Sequence, residues 1–572
     1  MLKNIFITIL LICSVSGVWG QKSVKVKVSG NVITTDGVPA EFINIQLKNT
    51  FYGGTSDGKG YFEFMAPAGQ YTMIVQSIAA HRREFPVTIE EGKENHFADI
   101  EIRENINQLE QVVVTGQFSP QSMRNSLYKV RTVNSEQIRQ KVPTSVQSLL
   151  NTEIGIRLSN DMALGETDFE LMGMSGNNVK ILLDGIPLID RGATKQSLSQ
   201  LDVNSIERVE IVEGPMSVVY GTDALAGVIN IITKKGDGYS EENTWRVGAR
   251  VQEESMGKEY DFFKDKGLHN ESIDLGFNHK SGLFVNGGYT RNNHGGWQGD
   301  LTGREKRWHP KDQALMNGMF GFQNRNMNVW YRLDFLDEKI FGPNNGSELQ
   351  PEKVSDKDFL TKRYTHQLQS DWKLDNRLDV HAALSYQDYK RRTRTTESDL
   401  STGEKWLSSA EASQDITQYK AWIARATVAW NIAPEFSVQP GVEYQWTQGE
   451  GGRIDGTPKV SDLAFFLSAE YKPWEWLSLR PGVRTFIVAD YDAPIAIPSV
   501  LTKFKLTKHM DLRLSYAYGF RSPTLQELYF SFHNDNHDID GNPDLKAEYS
   551  HNITGSVAYR VLHSEKIHLT TT

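Results

Sequence analysis

The feature that most constrains the fold is an alternation of apolar and polar residues that recurs from Thr244 onward, in segments of roughly ten or more residues. In FSVQPGVEYQW, one face carries the apolar residues Phe436, Val438, Val442, Tyr444 and Trp446, and the other carries Ser437, Gln439, Glu443 and Gln445. HMDLRLSYAYG repeats the pattern. Charges at every second position cannot lie in a dry core, but a water-filled lumen accepts them. The pattern predicts an antiparallel transmembrane β-barrel, whereas a soluble sandwich would use strands of about five or six residues.

The connections between these strands also alternate in length. Short turns such as 279–282 and 473–475 alternate with long polar segments at 292–312, 339–362, 391–415 and 519–548. Such a rhythm is typical of outer-membrane barrels, which have short periplasmic turns and long extracellular loops. Residues 237–572 supply about fifteen strands, whereas plugged transporters of this kind close at about 22. We therefore expect an incomplete barrel in a chain truncated at its C-terminal end, because an open sheet edge is not tolerated in lipid.

The first twenty residues indicate export. They combine one lysine with an apolar run from Ile5 to Ile12 and small residues before Gln21, which predicts a signal peptide over 1–20. The only cysteine, Cys13, lies within it, so the mature chain would have no thiol or disulfide. The net charge of −9 gives no support to a nucleic-acid partner. No nucleophile elbow, phosphate loop or zinc spacing is present, so we predict no enzyme, no catalytic residue and no resident metal.

Residues 21–103 form a separate module with several short alternating strands and glycine turns, such as VKVKV and SDGKGYFEF. This pattern predicts a small β-sandwich. The spaced glycines and the TSDGKGYF turn resemble the carboxypeptidase-regulatory-like domain found on many Bacteroidetes outer-membrane receptors.

Residues 119–236 form the next domain, which is predicted to be small and α/β. Its strand Ile206 to Val212 places Val209 and Ile211 on an apolar face and Arg208 and Glu210 on a polar one, which predicts a half-buried strand. The runs LLDGIPL and IERVEIVEGPMSVVYGTDALAGVINIIT closely resemble the plug of TonB-dependent outer-membrane receptors. Such plugs usually carry Arg-Gly before the LLDG strand, where this chain has Met172 followed by glycine.

The linker 104–118 contains a run that resembles a TonB box, the segment that pairs with the inner-membrane energiser TonB. The run consists of Val112, Val113, Val114, Thr115 and Gly116. A β-branched run in a polar linker exposes unpaired backbone donors and acceptors, which suits pairing with an added strand. The alternative interpretation is the last strand of the preceding sandwich.

The last long loop is the predicted ligand site. Its boxes FRSP, which contains Arg521, and NPDL, which begins at Asn542, resemble the pair that brackets an axial histidine in haem receptors. His533 and His537 lie between them, and neutral imidazole is a good iron ligand. The second axial ligand would come from Met162 or Met172 of the plug. Similar boxes also occur in siderophore and cobalamin receptors. The alternative interpretation is therefore that both histidines are ordinary solvated residues of the loop.

The predicted protein is mainly β, with an N-terminal sandwich, a plug and an incomplete barrel. The resemblance implies an outer-membrane receptor, in contact with lipid, for TonB-dependent import of a scarce metal chelate: siderophore, haem or cobalamin. Haem would be a transported ligand rather than a bound cofactor. The alternatives are a glycan importer of the starch-utilisation type and a signalling receptor that relays ligand occupancy.

Overall fold

The structure is a computed structural model. It describes residues 25–34, 39–40, 43–57, 59–77, 80–93, 95–102, 112–123, 125–161, 166–190, 196–236, 242–375, 377–410, 413–451, 453–507, 509–534, 537–560 and 568–571. The chain forms two compact units, residues 1–112 and 113–572.

The first unit is a sandwich of two sheets. Its strands are β1 Lys25–Thr34, β2 Asn44–Leu47, β3 Gly53–Thr55, β4 Tyr61–Pro67, β5 Gly69–Ser77, β6 Ala80–Ile89 and β7 Asn95–Ile102. One sheet has the order β4-β1-β7 and the other β3-β2-β5-β6. Alternate residues such as Val28, Ile45, Phe62 and Met73 are buried between the sheets, as the period-two pattern predicts.

The second unit begins with the plug. Its strands are β8 Val112–Val113, β9 Gln121–Ser122, β10 Lys129–Asn134, β11 Ile156–Asp161, β12 Glu166–Leu171, β13 Met174–Ser175, β14 Val179–Leu183, β15 Ile186–Pro187, β16 Ile206–Glu213 and β17 Gly227–Thr233. Its α-helices are Ser135–Lys141, Val146–Leu150 and Ser217–Tyr220, and its 3-10 turns are Gly176–Asn178, Gln196–Ser199 and Val203–Ser205. A five-stranded sheet of order β10-β16-β17-β14-β15 packs its apolar side chains into the plug core. The plug is therefore the small α/β domain that the sequence predicts.

A large antiparallel sheet forms the rest of the second unit. Its strands are β18 Thr244–Glu254, β19 Leu268–Asn278, β20 Leu283–His294, β21 Lys311–Gln323, β22 Met327–Gly342, β23 Lys353–Lys373, β24 Leu378–Asp399, β25 Lys405–Leu407, β26 Ile416–Ala433, β27 Phe436–Gly451, β28 Lys459–Trp474, β29 Leu477–Ala489, β30 Ile497–Thr507, β31 Met510–Arg521, β34 Glu548–Arg560 and β35 His568–Thr571. In the described part, the hydrogen-bonded path from β18 to β35 passes through fifteen strands, and β25 pairs with β24 beside it. A helix Leu525–Tyr529 and a hairpin of β32 Ser531–Asn534 and β33 His537–Asp540 follow β31.

Two predicted loops are about half strand. Residues 339–362 and 391–415 were expected to be long polar loops, but β22 reaches Gly342, β23 starts at Lys353 and β24 continues to Asp399. The 21 residues of β23 span about 70 Å at the rise of a β-strand, well beyond a hydrocarbon layer of about 30 Å. Polarity alone did not distinguish a loop from a strand that continues into water.

The outward face of β22 marks where these strands leave the lipid. It changes from Tyr331 and Phe335 to Asp337 and Lys339 toward the end with long connections. Phe335 contacts Tyr364 of β23 at this level, with ring centroids 4.8 Å apart. Aromatic rings are typical of a membrane boundary, and charges beyond them require water.

Among the described residues, no helix is both long and apolar enough to cross a membrane.

Candidate functional site

The run 112–116 is docked against the plug by Glu210. The carboxylate of Glu210 accepts hydrogen bonds from the backbone N–H of Val114, at 3.1 Å, and of Thr115, at 2.8 Å. It also accepts one from the Thr115 hydroxyl at 2.6 Å. Val113, Thr115 and Glu210 are completely buried. The expectation of unpaired backbone groups is therefore wrong for Val114 and Thr115, because a buried carboxylate binds their N–H groups.

Further contacts surround the same segment. Asn230 donates to the Thr115 hydroxyl at 2.9 Å, and the Tyr220 hydroxyl accepts from the N–H of Gly116 at 3.2 Å. Arg480 of the barrel donates to the Gly116 carbonyl and pairs with Glu470. Gly116 has φ of 70°, a backbone conformation that favours glycine, and a Cβ there would lie 2.4 Å from the terminal methyl group of Met216. We name residues 113–116 with these partners the docked box.

The sequence interpretation missed Glu210. The alternation in β16 placed Arg208 and Glu210 on a polar, solvent-facing side, yet Glu210 has no exposed surface. The docked box and the barrel cover this face of the sheet. The alternation therefore predicted correctly that Arg208 and Glu210 share a face, but the expectation that this face contacts solvent was wrong. The sequence did contain a signal, because a strand residue of opposite charge, Arg208, lies two positions before Glu210 on the same face. In the structure Arg208 binds Glu210 at 2.9 Å.

A second polar cluster joins the plug to the barrel wall. Arg425 of β26 donates to the Val219 carbonyl of the plug at 2.8 Å and pairs with Glu443 of β27 at 2.5 Å. Arg484 of β29 pairs with the other oxygen of Glu443 at 2.8 Å. Gly221, with φ of 72°, lies so close that a Cβ would approach the Arg484 guanidinium to 3.0 Å. The side chains of Arg425, Glu443 and Arg484, hereafter the wall triad, are buried at the plug–barrel interface.

The segment after β31 folds into the lumen and touches the plug. The Ser522 N–H donates to the Thr222 hydroxyl at 2.7 Å, and the Asp223 N–H donates to the Phe520 carbonyl at 3.2 Å. Leu525 of the following helix packs with Ile189 of the plug in a small apolar cluster. The FRSP box thus contacts the plug loop that follows Tyr220.

Two of the predicted ligand residues, Arg521 and Asn542, both bond to Glu527, since Arg521 pairs with its carboxylate and the Asn542 N–H donates to its carbonyl at 2.9 Å. Arg521 pairs with Glu527 at 2.9 Å and with Glu548 at 2.6 Å. The Asn542 side chain accepts from the N–H of Asp544 at 3.0 Å. Both residues therefore stabilise the shape of the loop.

Of the two methionines proposed as alternative axial ligands, only Met172 is among the described residues. It follows β12 and is about half exposed. Met162 itself and the side chains of His537 and Val112 lie outside the described residues.

His533 lies in the exposed hairpin with both ring nitrogens engaged. Its Nδ1 is 2.5 Å from Asp538, and its Nε2 is 3.0 Å from Asp540 and 3.1 Å from the Ser531 hydroxyl. A haem iron would have to displace one of these partners. His533 as an iron ligand stays a prediction.

We expect His533 to titrate above its ordinary range. The hydrogen bonds to Asp538 and Asp540 favour the imidazolium and raise the pKa of His533. The ion pairing of His533 with Asp538 and Asp540 is complete below the ordinary pKa of histidine. It is lost as the pH rises through the raised pKa of His533. Histidine hydrogen–deuterium exchange on the receptor, compared with an Asp538→Asn, Asp540→Asn variant, measures the shift. An equal midpoint in both proteins would show that the pairing is absent in solution.

Three family models match the chain. They are the TonB-dependent receptor plug domain over residues 122–228, the CarboxypepD_reg-like domain over 28–114, and the TonB dependent receptor-like β-barrel over 439–570. The chain therefore contains the plug domain and β-barrel sequence of the TonB-dependent receptors. The resemblances of residues 21–103 to the carboxypeptidase-regulatory-like domain and of residues 119–236 to the plug are thereby confirmed.

Known relatives agree with this family. The iron-regulated outer membrane virulence protein of Vibrio cholerae is 25% identical over 482 residues, which cover 79% of this chain and 66% of that protein. The ferrienterobactin receptor of Escherichia coli is 32% identical over 124 residues, which cover 19% of this chain and 17% of that receptor. The matches therefore span less than two thirds of either relative. The crystal structure of the siderophore receptor PirA from Pseudomonas aeruginosa superimposes with a TM-score of 0.57 at 16% identity, covering 75% of this chain and 71% of that one, and shows the shared fold.

These similarities confirm the predicted fold class and the outer-membrane location of this protein. The relatives and the proteins of similar fold are TonB-dependent receptors and transporters, not enzymes.

Proposed function

We propose that this receptor imports a metal chelate, with energy supplied through pairing of TonB with residues 112–116. The observation that carries the proposal is the docked box, held against the plug near the end of the barrel with short turns. Glu210 and Arg480 hold it there, and the long connections lie at the opposite end. The names of the relatives, which refer to iron regulation and ferrienterobactin, support a metal chelate as cargo.

The docked box has to leave Glu210 before TonB can pair with it, because the backbone N–H groups of Val114 and Thr115 are occupied. A short chain of contacts connects the docked box to the opposite end of the lumen. The Tyr220 hydroxyl holds Gly116, and two residues later Thr222 accepts the hydrogen bond from Ser522. We propose that substrate bound beside the segment 520–530 shifts this plug loop and releases the docked box.

Haem stays a predicted cargo among the metal chelates. The carboxylates that engage both nitrogens of His533 favour a chelate that brings its own complete set of metal ligands. A permanently bound cofactor is not part of the proposal.

The energy-coupling step is tested by Val113→Pro. Proline removes a backbone donor and disrupts a paired strand, so TonB-dependent growth on limiting iron chelate should fall to the level of a strain without TonB. Chelate binding to the purified receptor should stay unchanged. Val113→Ala is the matched control, because it loses more packing but keeps the N–H, and it should retain uptake. Normal growth of the proline variant would refute the assignment of residues 112–116.

A further inference from the structure

The outward face of strands β22–β28 carries many charges just beyond its aromatic rings, toward the end with long connections. Residues paired across the ladder lie on the same face, so the register places Lys362 between Asp337 and Lys390. Among the described residues of this region, cations outnumber carboxylates. The carboxylates are Asp337, Asp358, Asp388 and Glu450, and the cations, hereafter the outer cationic patch, are Lys339, Lys362, Lys390, Arg392, Arg394, Lys420 and Lys459.

Ion pairs within the outer cationic patch account for part of its charge. Asp358 binds Lys339 at 3.0 Å and also binds Arg394. Asp337 lies 3.5 Å from Lys362. Both carboxylates are therefore engaged, and the cations of β24 that lie nearer the lipid are left without them.

Those cations are Lys390 and Arg392. In the described part of the chain, neither side chain forms an ion pair or a hydrogen bond, and the Nε atom of Arg392 is buried without an acceptor. Lys390 lies directly opposite Lys362, and like charges in that position destabilise a sheet. An anion bound between β23 and β24 would supply acceptor oxygens to Arg392 and would neutralise the two neighbouring lysines.

The outer cationic patch begins where the lipid ends. Tyr386 and Trp422 form an outward pair with ring centroids 4.7 Å apart, and rings of this kind mark a membrane boundary. Lys390 follows Tyr386 on the same face, about 13 Å further along the strand and about 10 Å further along the membrane normal for a typically tilted strand. A lysine side chain extends several ångströms back toward such a boundary. The ammonium group of Lys390 therefore reaches the layer that holds lipid headgroups.

Below the rings, the outward face has room for an acyl chain. Ala424 lies between Leu384 and Tyr444 in the ladder, and Ala426 lies beside Ala382. The side chains of Leu384 and Tyr444 are 42% and 41% exposed, so they project on either side of the small alanines. The three alanines, hereafter the alanine groove, lie on the lipid-facing surface that leads to the outer cationic patch.

The opposite face of the same strands belongs to the lumen. It lines a cavity of about 420 Å³ whose walls include Arg391 and Arg453. A substrate in that cavity is separated from the outer cationic patch by the thickness of the sheet. The patch is instead continuous with the lipid-facing surface, so a membrane lipid is the partner that reaches it.

We propose that the outer cationic patch binds the phosphate groups of an acylated, multiply phosphorylated lipid of the outer leaflet, with one chain in the alanine groove. Lys362, Lys390 and Arg392 hold one phosphate, because lysine and arginine are the side chains that suit phosphate oxygens. The cations extend over several neighbouring strands, which favours a headgroup with more than one phosphate. The proposal does not depend on which chelate the receptor imports.

Lipid binding to the purified, delipidated receptor tests the proposal. Diphosphoryl lipid A, its dephosphorylated form and phosphatidylethanolamine are each titrated in detergent, and native mass spectrometry counts the bound lipids. The diphosphoryl lipid should bind tightest, and its affinity should fall with added salt. Lys390→Gln and Arg392→Gln should each weaken it about fivefold, and together more than about tenfold, because each removes a charge near the headgroup. Lys505→Gln, at an exposed lysine of the opposite barrel end, is the matched control and should leave the affinity unchanged.

Two further measurements separate the chain from the headgroup. Ala424→Phe fills the alanine groove without a change of charge, so the diphosphoryl lipid should bind several-fold more weakly while the salt dependence of its affinity stays the same. Inorganic pyrophosphate is the probe for a free anion. It should not displace the lipid, because it has no acyl chain to bury.

Each contrary outcome is decisive. Equal binding of the dephosphorylated lipid, or an unchanged affinity in the Lys390→Gln, Arg392→Gln double variant, would overturn the proposal. Displacement by pyrophosphate as effective as by unlabelled lipid would assign the outer cationic patch to a free anion and would overturn it as well. An unchanged affinity in Ala424→Phe would overturn the placement of a chain in the alanine groove. The heat-modifiable mobility of each variant verifies that the barrel has folded.

Discussion

Replacing Glu443 by alanine is expected to lower the free energy of unfolding of the receptor by about 3–5 kcal/mol, since removing one partner from a buried ion pair leaves an uncompensated charge. Glu443 is 3% exposed and is bonded to two arginines, Arg425 and Arg484. Without it, two guanidinium groups would face each other at the plug–barrel interface. Urea unfolding of the detergent-solubilised receptor measures the effect.

The same change should loosen the plug. Arg425 also holds the Val219 carbonyl, so its displacement removes a contact between the barrel and the plug. We expect cells with the variant to become sensitive to large antibiotics that the outer membrane normally excludes. Glu443→Gln should lie between wild type and alanine, because it keeps an acceptor oxygen but not the charge.

Glu450→Ala is the control for Glu443, a glutamate seven positions later on the same strand and only half-buried. It should change stability by less than about 0.5 kcal/mol, as surface substitutions usually do. An unfolding midpoint for Glu443→Ala equal to that of this control would show that water or an ion neutralises the wall triad and that the predicted cost is wrong.

The sequence predicted the strands of the barrel well because a two-residue period is a local signal. The segment around Val442 alternates as expected, and Glu443 does face the lumen. The error lay in the medium assigned to that face. Water was taken as the medium of the whole lumen face, although the sequence also predicted a plug; where the plug lies against the wall, Glu443 and Arg484 are buried and paired. Which medium covers a polar face depends on contacts between residues distant in the chain, and no local pattern reports them.

The site was less predictable than the fold for the same reason. Motif resemblance located residues 112–116, but their dock depends on Glu210, about a hundred residues away, and on Arg480 in the barrel. His533 was singled out for its chemistry as a ligand, whereas the adjacent Asp538 and Asp540 occupy it through the turn of the hairpin. The cavity lined by Arg391 of β24 and Arg453 of the turn after β27 has no sequence signature, because its walls come from separate strands and loops.

Replacing Glu210 by alanine is expected to release the docked box without substrate. The change removes the acceptor of the N–H groups of Val114 and Thr115 and of the Thr115 hydroxyl. A hydrogen bond to a charged group contributes about 1.5–3 kcal/mol, so the loss of even one shifts the docking equilibrium at least about tenfold. A cysteine introduced by Val114→Cys reports the shift, because the only natural cysteine, Cys13, lies in the predicted signal peptide.

The measurement is the rate at which a maleimide labels that cysteine in the purified receptor. We expect the rate to rise at least about tenfold in Glu210→Ala and less in Glu210→Gln, which keeps one acceptor oxygen. Glu207→Ala provides the control, because Glu207 is an exposed glutamate of the same strand. The receptor with Glu210→Ala should also retain TonB without added chelate. If labelling were as slow as in the Glu207 control, the carboxylate would not be what holds residues 113–116, and Tyr220 and Arg480 would have to suffice for docking.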